Sequence, residues 1–258
     1  MGSGRLSGKV AVVTGGTRGI GLAAARAMLA EGADVVIASR KPDGVEAARS
    51  ELEAARESGW GRLVGMAAHV GEAAACEALI AKAEAEFGAV DVLVNNAGTN
   101  PFFGPLAQIS EAAFDKTFET NLKSAWRLSL RVAKRLIADK RGGSIINVAS
   151  VLGQRAAPFQ GAYGMTKAAM ISMTQTLSVE LGGAGIRVNA IAPGLIDTKL
   201  AAAITASDAM TKAFTDRTGL RRVGRPDEVA PLIVFLAADE SSYLTGATLP
   251  CDGGYLAM

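Results

Sequence analysis

The sequence is poor in several things, and each shortage narrows the chemistry. It has one histidine, His69, in 258 residues. A structural zinc site has little to draw on, and a histidine-based nucleophilic triad would have only that residue to use. No metal site is expected. The two cysteines, Cys76 and Cys251, lie far apart without ligand spacing, so no disulfide framework is expected either. Aromatic residues are 5% of the chain, and no stretch approaches the ~20 apolar residues of a membrane span. Basic residues number 27 against 25 acidic ones, a net charge of +2 with no basic stripe or tail, which gives no footing for nucleic acid. The expectation is a soluble, cytoplasmic protein that handles small molecules, with no nucleic-acid or membrane partner.

What is abundant is small. There are 30 glycines and much alanine in a chain that is 49% hydrophobic, which suits helices packed closely on a sheet with tight turns between. Short apolar runs at 10–13, 34–38, 62–68, 90–94, 144–149, 186–191 and 247–250 alternate with helical stretches at 22–31, 43–57, 72–87, 110–139, 163–181 and from 226. This regular alternation predicts a single α/β domain over 1–258: a doubly wound, mostly parallel seven-stranded sheet with helices on both faces. The one irregular segment, 196–220, follows a strand's carboxyl end and carries Ala, Thr, Met and Phe, so it is read as a substrate lid.

The first strand runs into Thr14-Gly15-Gly16-Thr17-Arg18-Gly19-Ile20-Gly21 and then a helix. Gly15 permits the sharp turn, Gly19 lets a diphosphate approach the backbone, and Gly21 allows close helix packing, the arrangement of a dinucleotide site. The second strand ends in Ser39-Arg40-Lys41, where an acid would bind ribose hydroxyls; with Arg18 nearby, these cations suit a 2′-phosphate, so NADP(H) is expected over NAD(H).

Further on, Ser150 follows the apolar run 144–149, and Tyr163 and Lys167 sit one helical turn apart. A tyrosine near an ammonium is expected to titrate lower than a free phenol, toward a useful acid/base range, and a serine hydroxyl at a strand's carboxyl end can donate to a carbonyl oxygen. By itself Tyr-x-x-x-Lys is a common helical pattern. Here it stands with the glycine turn, Asn95-Asn96-Ala97-Gly98 after the fourth strand, Asn121, and Pro193-Gly194 with Thr198.

In that order, these residues resemble the short-chain dehydrogenase/reductase family over essentially the whole chain. Arg222-Val223-Gly224-Arg225-Pro226-Asp227-Glu228-Val229 and Asp252-Gly253-Gly254 are similar to its 3-oxoacyl-acyl-carrier-protein reductase branch. The resemblance implies a Rossmann fold and assigns roles. Tyr163 is the acid/base, Lys167 lowers its pKa and binds the nicotinamide ribose, Ser150 polarises the substrate carbonyl, and Asn121 holds a water in a proton relay. Cofactor contacts are implied at Gly15, Thr17, Arg18, Gly19, Ile20, Gly21, Ser39, Arg40, Lys41, Val70, Asn96, Ala97, Gly98, Tyr163, Lys167, Pro193, Gly194, Ile196 and Thr198. His69 stands where the family often has an adenine-binding aspartate, and is expected to tune that contact. A homotetramer is implied too.

Two substrate readings stay open. The carboxyl-terminal motifs favour a 3-oxoacyl thioester, carried on acyl carrier protein or free. Thr99-Asn100-Pro101-Phe102-Phe103-Gly104-Pro105 with Ser39-Arg40-Lys41 is similar to the family's NADPH-dependent carbonyl and retinal reductases. A cofactor-binding regulatory protein without catalysis is the third reading, disfavoured because Asn121, Ser150, Tyr163 and Lys167 are all present.

Overall fold

In a computed structural model of the chain, which describes residues 4–258, seven strands form one sheet. They are β1 (Val10–Thr14), β2 (Asp34–Ser39), β3 (Leu63–Ala67), β4 (Val92–Asn95), β5 (Gly143–Val148), β6 (Ile186–Pro193) and β7 (Thr248–Cys251). Their order is β3-β2-β1-β4-β5-β6-β7, and every neighbouring pair is parallel. The sheet is therefore wholly parallel among the described residues, where a mostly parallel one was expected. Residues 1–3 of the expected 1–258 domain lie outside the described residues.

Alternation along each strand feeds two cores. Ala11 and Val13 face one side, with α1 (Gly19–Ala30), α2 (Pro42–Ala54) and α9 (Pro226–Ala237). Val10 and Val12 face the other, with α3 (Ala73–Phe87), α5 (Ser124–Ala138) and α6 (Gly161–Gly182). Covered on both faces, the central strands are apolar at nearly every position, which is why they appear in the sequence as unbroken runs rather than alternating ones.

The chain winds outward from β1 to β3 and then returns across β1 to β4. At that reversal, neighbouring connections leave the sheet on opposite sides, and a crevice opens at the strands' carboxyl ends. Those ends carry Thr14-Gly15, Asn95-Asn96, Ser150 and Pro193-Gly194.

The helix expected over 110–139 is not continuous. It comprises α4 (Glu111–Phe118), one π turn over Glu119–Lys123, and α5. The turn is wider by a residue where Asn121 lies fully buried, and such π turns in long helices concentrate at functional sites. Residues 196–220, expected to be irregular, contain two short helices, α7 (Ala202–Thr205) and α8 (Asp208–Thr215). Ser207 caps α8 by accepting from the Met210 N–H at 3.4 Å. Among the described residues, no helix is long and apolar enough to cross a membrane.

A buried polar chain sets β5 and α6 against each other. The Asn95 side-chain amide donates to Ser129 Oγ at 3.0 Å and to Asn147 Oδ1 at 2.9 Å. Asn147 in turn donates to Thr174 Oγ1 at 2.8 Å, and Thr174 donates to the Met170 carbonyl at 2.8 Å. These bonds join β4, α5, β5 and α6 inside the protein, where a broken partner would leave a costly unpaired group. The register between β5, which leads to Ser150, and α6, which carries Tyr163 and Lys167, is thereby held.

Candidate active site

The glycine turn is shaped by close approaches. Gly15 and Gly19 have φ of 63° and 54°, which a side chain would strain. A Cβ on Gly21 would lie 2.3 Å from the Gly15 carbonyl oxygen, so only glycine lets the turn fold onto the helix start. Thr14 pins the turn to β4: its hydroxyl accepts from the Asn96 and Ala97 N–H groups at 3.0 Å each and donates to the Val94 carbonyl at 3.2 Å. Asn96 donates back to the Thr14 and Gly15 carbonyls at 2.9 and 3.2 Å. Sequence reasoning passed over Thr14, although a hydroxyl between a buried strand and the first glycine was a visible signal.

The turn opens onto a cleft of about 1180 Å³. Gly15, Thr17, Arg18, Gly19, Ile20, Ser39, Arg40, Lys41, His69, Val70, Asn96, Ala97, Gly98 and Thr198 all line it, together with Lys199, a cation the sequence reading did not single out. Gly21 packs behind the turn rather than in the cleft. Asp34 is bonded to Arg62, Glu46 to Arg49 and Glu51 to Arg26. Among the described residues no carboxylate bridges Arg18, Arg40 or Lys41, so their charge remains directed at the cleft.

A second cleft of about 740 Å³, counting its open mouth, joins the first at Ile20, Asn96, Gly98, Thr198 and Leu200. Ser150, Tyr163, Lys167, Pro193, Gly194 and Ile196 meet there, brought from β5, α6 and β6. Its other walls are mostly apolar, with Gln160 among Leu152, Leu195, Leu200, Ile204 and Phe214, none of which a motif marks.

The electrostatics of Tyr163 and Lys167 differ from the expectation. Lys167 is 3% exposed; its ammonium donates to the Val148 carbonyl at 2.6 Å and stands 5.5 Å from the Tyr163 ring centroid. Burial pulls the lysine down to about 8. Burial also pushes the Tyr163 phenol up to about 12, and the hydrogen bond with Ser150 offsets only part of that rise. The ammonium was expected to lower the phenol, but in the protein alone it is turned to a backbone carbonyl, and desolvation of the phenolate dominates. The ring is partly open to the cleft.

Asn121 lies outside both clefts and His69 within the first. The Asn121 side chain is fully buried and lines neither cleft. Its oxygen accepts from the Thr99 N–H at 2.8 Å, and its amide donates to the Thr99 carbonyl at 3.0 Å and Thr166 Oγ1 at 3.1 Å. It braces the 99 loop against α6. His69 lines the cleft, but its Nδ1 accepts from the Gly71 N–H at 3.2 Å, which leaves the neutral ring's Nε2 as a donor where an aspartate would accept.

Comparison with known proteins agrees with this arrangement. Residues 15–256 match the family model described as Enoyl-(Acyl carrier protein) reductase. An Oryctolagus cuniculus protein named dehydrogenase/reductase SDR family member 4 is 39% identical over 250 residues, 96% of this chain and 94% of its own length.

The chain belongs to the short-chain dehydrogenase/reductase family.

A Caenorhabditis elegans protein of the same name is 38% identical over 97% of this chain and 96% of its own. Among solved structures, a Beutenbergia cavernae protein provisionally described as an NAD(P)-dependent gluconate 5-dehydrogenase, with NADP bound at low occupancy, superposes with a TM-score of 0.92 at 33% identity, covering 100% of both chains. As a short-chain dehydrogenase/reductase the chain is a nicotinamide-dependent oxidoreductase. Its first cleft fits that cofactor. The start of α1 has no side-chain cap and no acid in its first turn, so its free N–H groups are available to a diphosphate. Gly98 leaves space at the junction of the clefts, since a Cβ there would find no atom nearer than 3.7 Å.

The depressed lysine makes stability depend on pH in a definite direction. Between about 8, its folded value, and 10.5, its ordinary one, the unfolded chain binds more protons at Lys167. The destabilisation is therefore complete below about 8 and is relieved as pH rises through that window. Urea unfolding of wild type and Lys167→Met should show the wild type gaining on the variant across it, by up to roughly 3 kcal/mol. A constant difference would mean that Lys167 is not desolvated.

Proposed function

We propose that the chain is an NADPH-dependent reductase that converts an apolar ketone or aldehyde to the alcohol. The observation that carries this reading is the pairing of Ser150 and Tyr163 with walls of Leu152, Leu195, Leu200, Ile204 and Phe214. Such a cavity holds one polar reacting group at its floor and an apolar body above it.

The bound cofactor supplies a hydride from C4 of its nicotinamide to the carbonyl carbon. Ser150 donates a hydrogen bond to the carbonyl oxygen and Tyr163 transfers its phenolic proton there. A phenol held neutral by burial is in the right form to give up a proton, and Lys167, fixed on the Val148 carbonyl, lies close enough for its charge to stabilise the phenolate that results. Residues 196–220 act as the lid, since Leu200, Ala201, Ile204 and Phe214 all reach the cleft from that segment. NADPH is preferred to NADH because Arg18, Arg40, Lys41 and Lys199 line the first cleft, and β2 ends in Ser39 rather than an acid.

The 3-oxoacyl thioester, free or on acyl carrier protein, is the second reading. It is favoured by the Arg222–Val229 and Asp252-Gly253-Gly254 motifs, whose residues Arg222, Glu228 and Asp252 lie just beyond Phe214. Rates with an acetoacetyl thioester against a bulky aromatic ketone separate the two. We also propose a homotetramer through two interfaces, the outer faces of α5 and α6, where Trp126 and Met165 are about half exposed and Val179 is 82% exposed, and the edge strand β7.

Three outcomes test these proposals. Tyr163→Phe should lose turnover by a factor of about 10² or more while its affinity for NADPH, read by fluorescence titration, stays near wild type; retained turnover would remove Tyr163 from the mechanism. Arg40→Asp should reverse the ratio of kcat/KM for NADPH over NADH, and an unchanged ratio would remove the phosphate-binding role. Light scattering at micromolar concentration should give four times the chain mass, and a monomer there would refute the tetramer.

A further inference from the structure

Beyond the catalytic cleft lies a second cavity, of about 630 Å³ counting its open mouth, under the 196–220 segment. The two cavities share Gly194, Leu195, Ile196 and Phe214. The first three are one run of backbone following β6, and it is pinned. Gly194 N–H donates to the Cys251 carbonyl at 3.1 Å, Gly224 N–H to the Leu195 carbonyl at 2.9 Å, and Asp197 N–H to the Gly224 carbonyl at 2.9 Å. Phe214, in the last turn of α8, is then the part of the partition that a side chain supplies from the lid.

Its ring is held from behind. Phe214 stacks on Tyr255 with centroids 4.4 Å apart and planes 11° from parallel, and the Arg217 guanidinium lies 5.8 Å from the same tyrosine ring. The segment bearing Tyr255 is itself anchored: the Asp252 carboxylate accepts from the Gly254 and Leu256 N–H groups at 2.8 and 2.9 Å. Arg155, in the turn that follows Ser150, donates to the Leu256 carbonyl at 3.0 Å. The catalytic turn, the carboxyl-terminal segment and the lid are thus mechanically joined at one aromatic pair.

We propose that Phe214 sets the length of the unbranched alkyl tail that the active site takes, and that Tyr255 positions it. The inference rests on the reading of the protein as a reductase of apolar carbonyl compounds. With the ring in place the tail ends against it; without the ring the two cavities become one channel. That channel suits a hydrocarbon rather than an acid-tipped chain. Leu195, Ile196 and Leu220 line it, and its three charges are already satisfied: Arg222 donates to Glu228 at 2.8 and 2.6 Å, and Asp252 accepts from the Gly254 and Leu256 N–H groups. Tyr255 does not line the cleft, so it acts on substrate through Phe214.

The test compares methyl ketones bearing a butyl or a decyl tail. For each, kcat/KM with NADPH is measured, along with affinity by calorimetry in the presence of NADP⁺. Phe214→Ala should raise the decyl-to-butyl ratio at least about tenfold, because each further buried methylene contributes roughly fourfold. Refilling the second cavity in Phe214→Ala/Cys251→Leu should cancel the gain. Tyr255→Ala should shift the ratio the same way through KM rather than kcat, whereas Tyr255→Phe, which keeps the stack, should restore the wild-type ratio. An unchanged ratio in folded Phe214→Ala overturns the proposal; if that variant does not fold, an unchanged ratio in Tyr255→Ala does so. Should the wild type reduce neither ketone, the proposed function fails, and the calorimetric affinity ratio still decides the role of Phe214.

Discussion

The parting of the connections above β1 and β4 is the constraint on which the site depends. A parallel sheet must return across its first strand to grow on the other side, and its loops then leave in opposite directions at one point. Thr14 closes that point with a single hydroxyl that accepts two backbone N–H groups from the far strand and donates to a carbonyl of the same strand. The glycine turn is held where α1 presents uncapped N–H groups to the cleft. Everything that binds or reacts is arranged around that opening.

The second dependence is desolvation. Lys167 is nearly without water and has one strong acceptor, the Val148 carbonyl, so its charge is held close to the tyrosine without being neutralised by a carboxylate. Taken alone, the same burial raises the phenol and depresses the ammonium. A neutral phenol is the form that reduction of a carbonyl consumes, and a nearby cation matters most after the proton has left. The buried chain from Asn95 through Asn147 to Thr174 keeps α6 in register with β5, so that these groups meet Ser150.

Much of this was legible in the chain. The central strands could be located because burial on both faces makes them continuous apolar runs, and all seven strands begin within two residues of their expected starts, β4 furthest with Val92 in place of Val90. The glycine turn was legible because local geometry requires glycine there, and the Tyr163/Lys167 spacing because four residues make about one helical turn. The break in the helix around Asn121 was not, since a π turn depends on what packs against it: here Thr99 and Thr166, distant in sequence. Nor was the tyrosine's titration, because one turn of helix brings Lys167 near it but cannot say which oxygen the ammonium chooses.

By itself, then, the sequence determined the doubly wound class, the dinucleotide turn, the cations at the end of β2 and the spacing of Tyr163 and Lys167. Each of these is set by short-range sterics, by periodicity or by the charge of a few neighbouring residues. Only the tertiary structure decided which side chains share a cavity, that Asn121 is a brace, that burial outweighs the ammonium at Tyr163, and that Phe214 divides two cavities with Tyr255 behind it. Those properties arise from desolvation and from contacts between segments far apart in the chain, and neither has a local pattern to mark it.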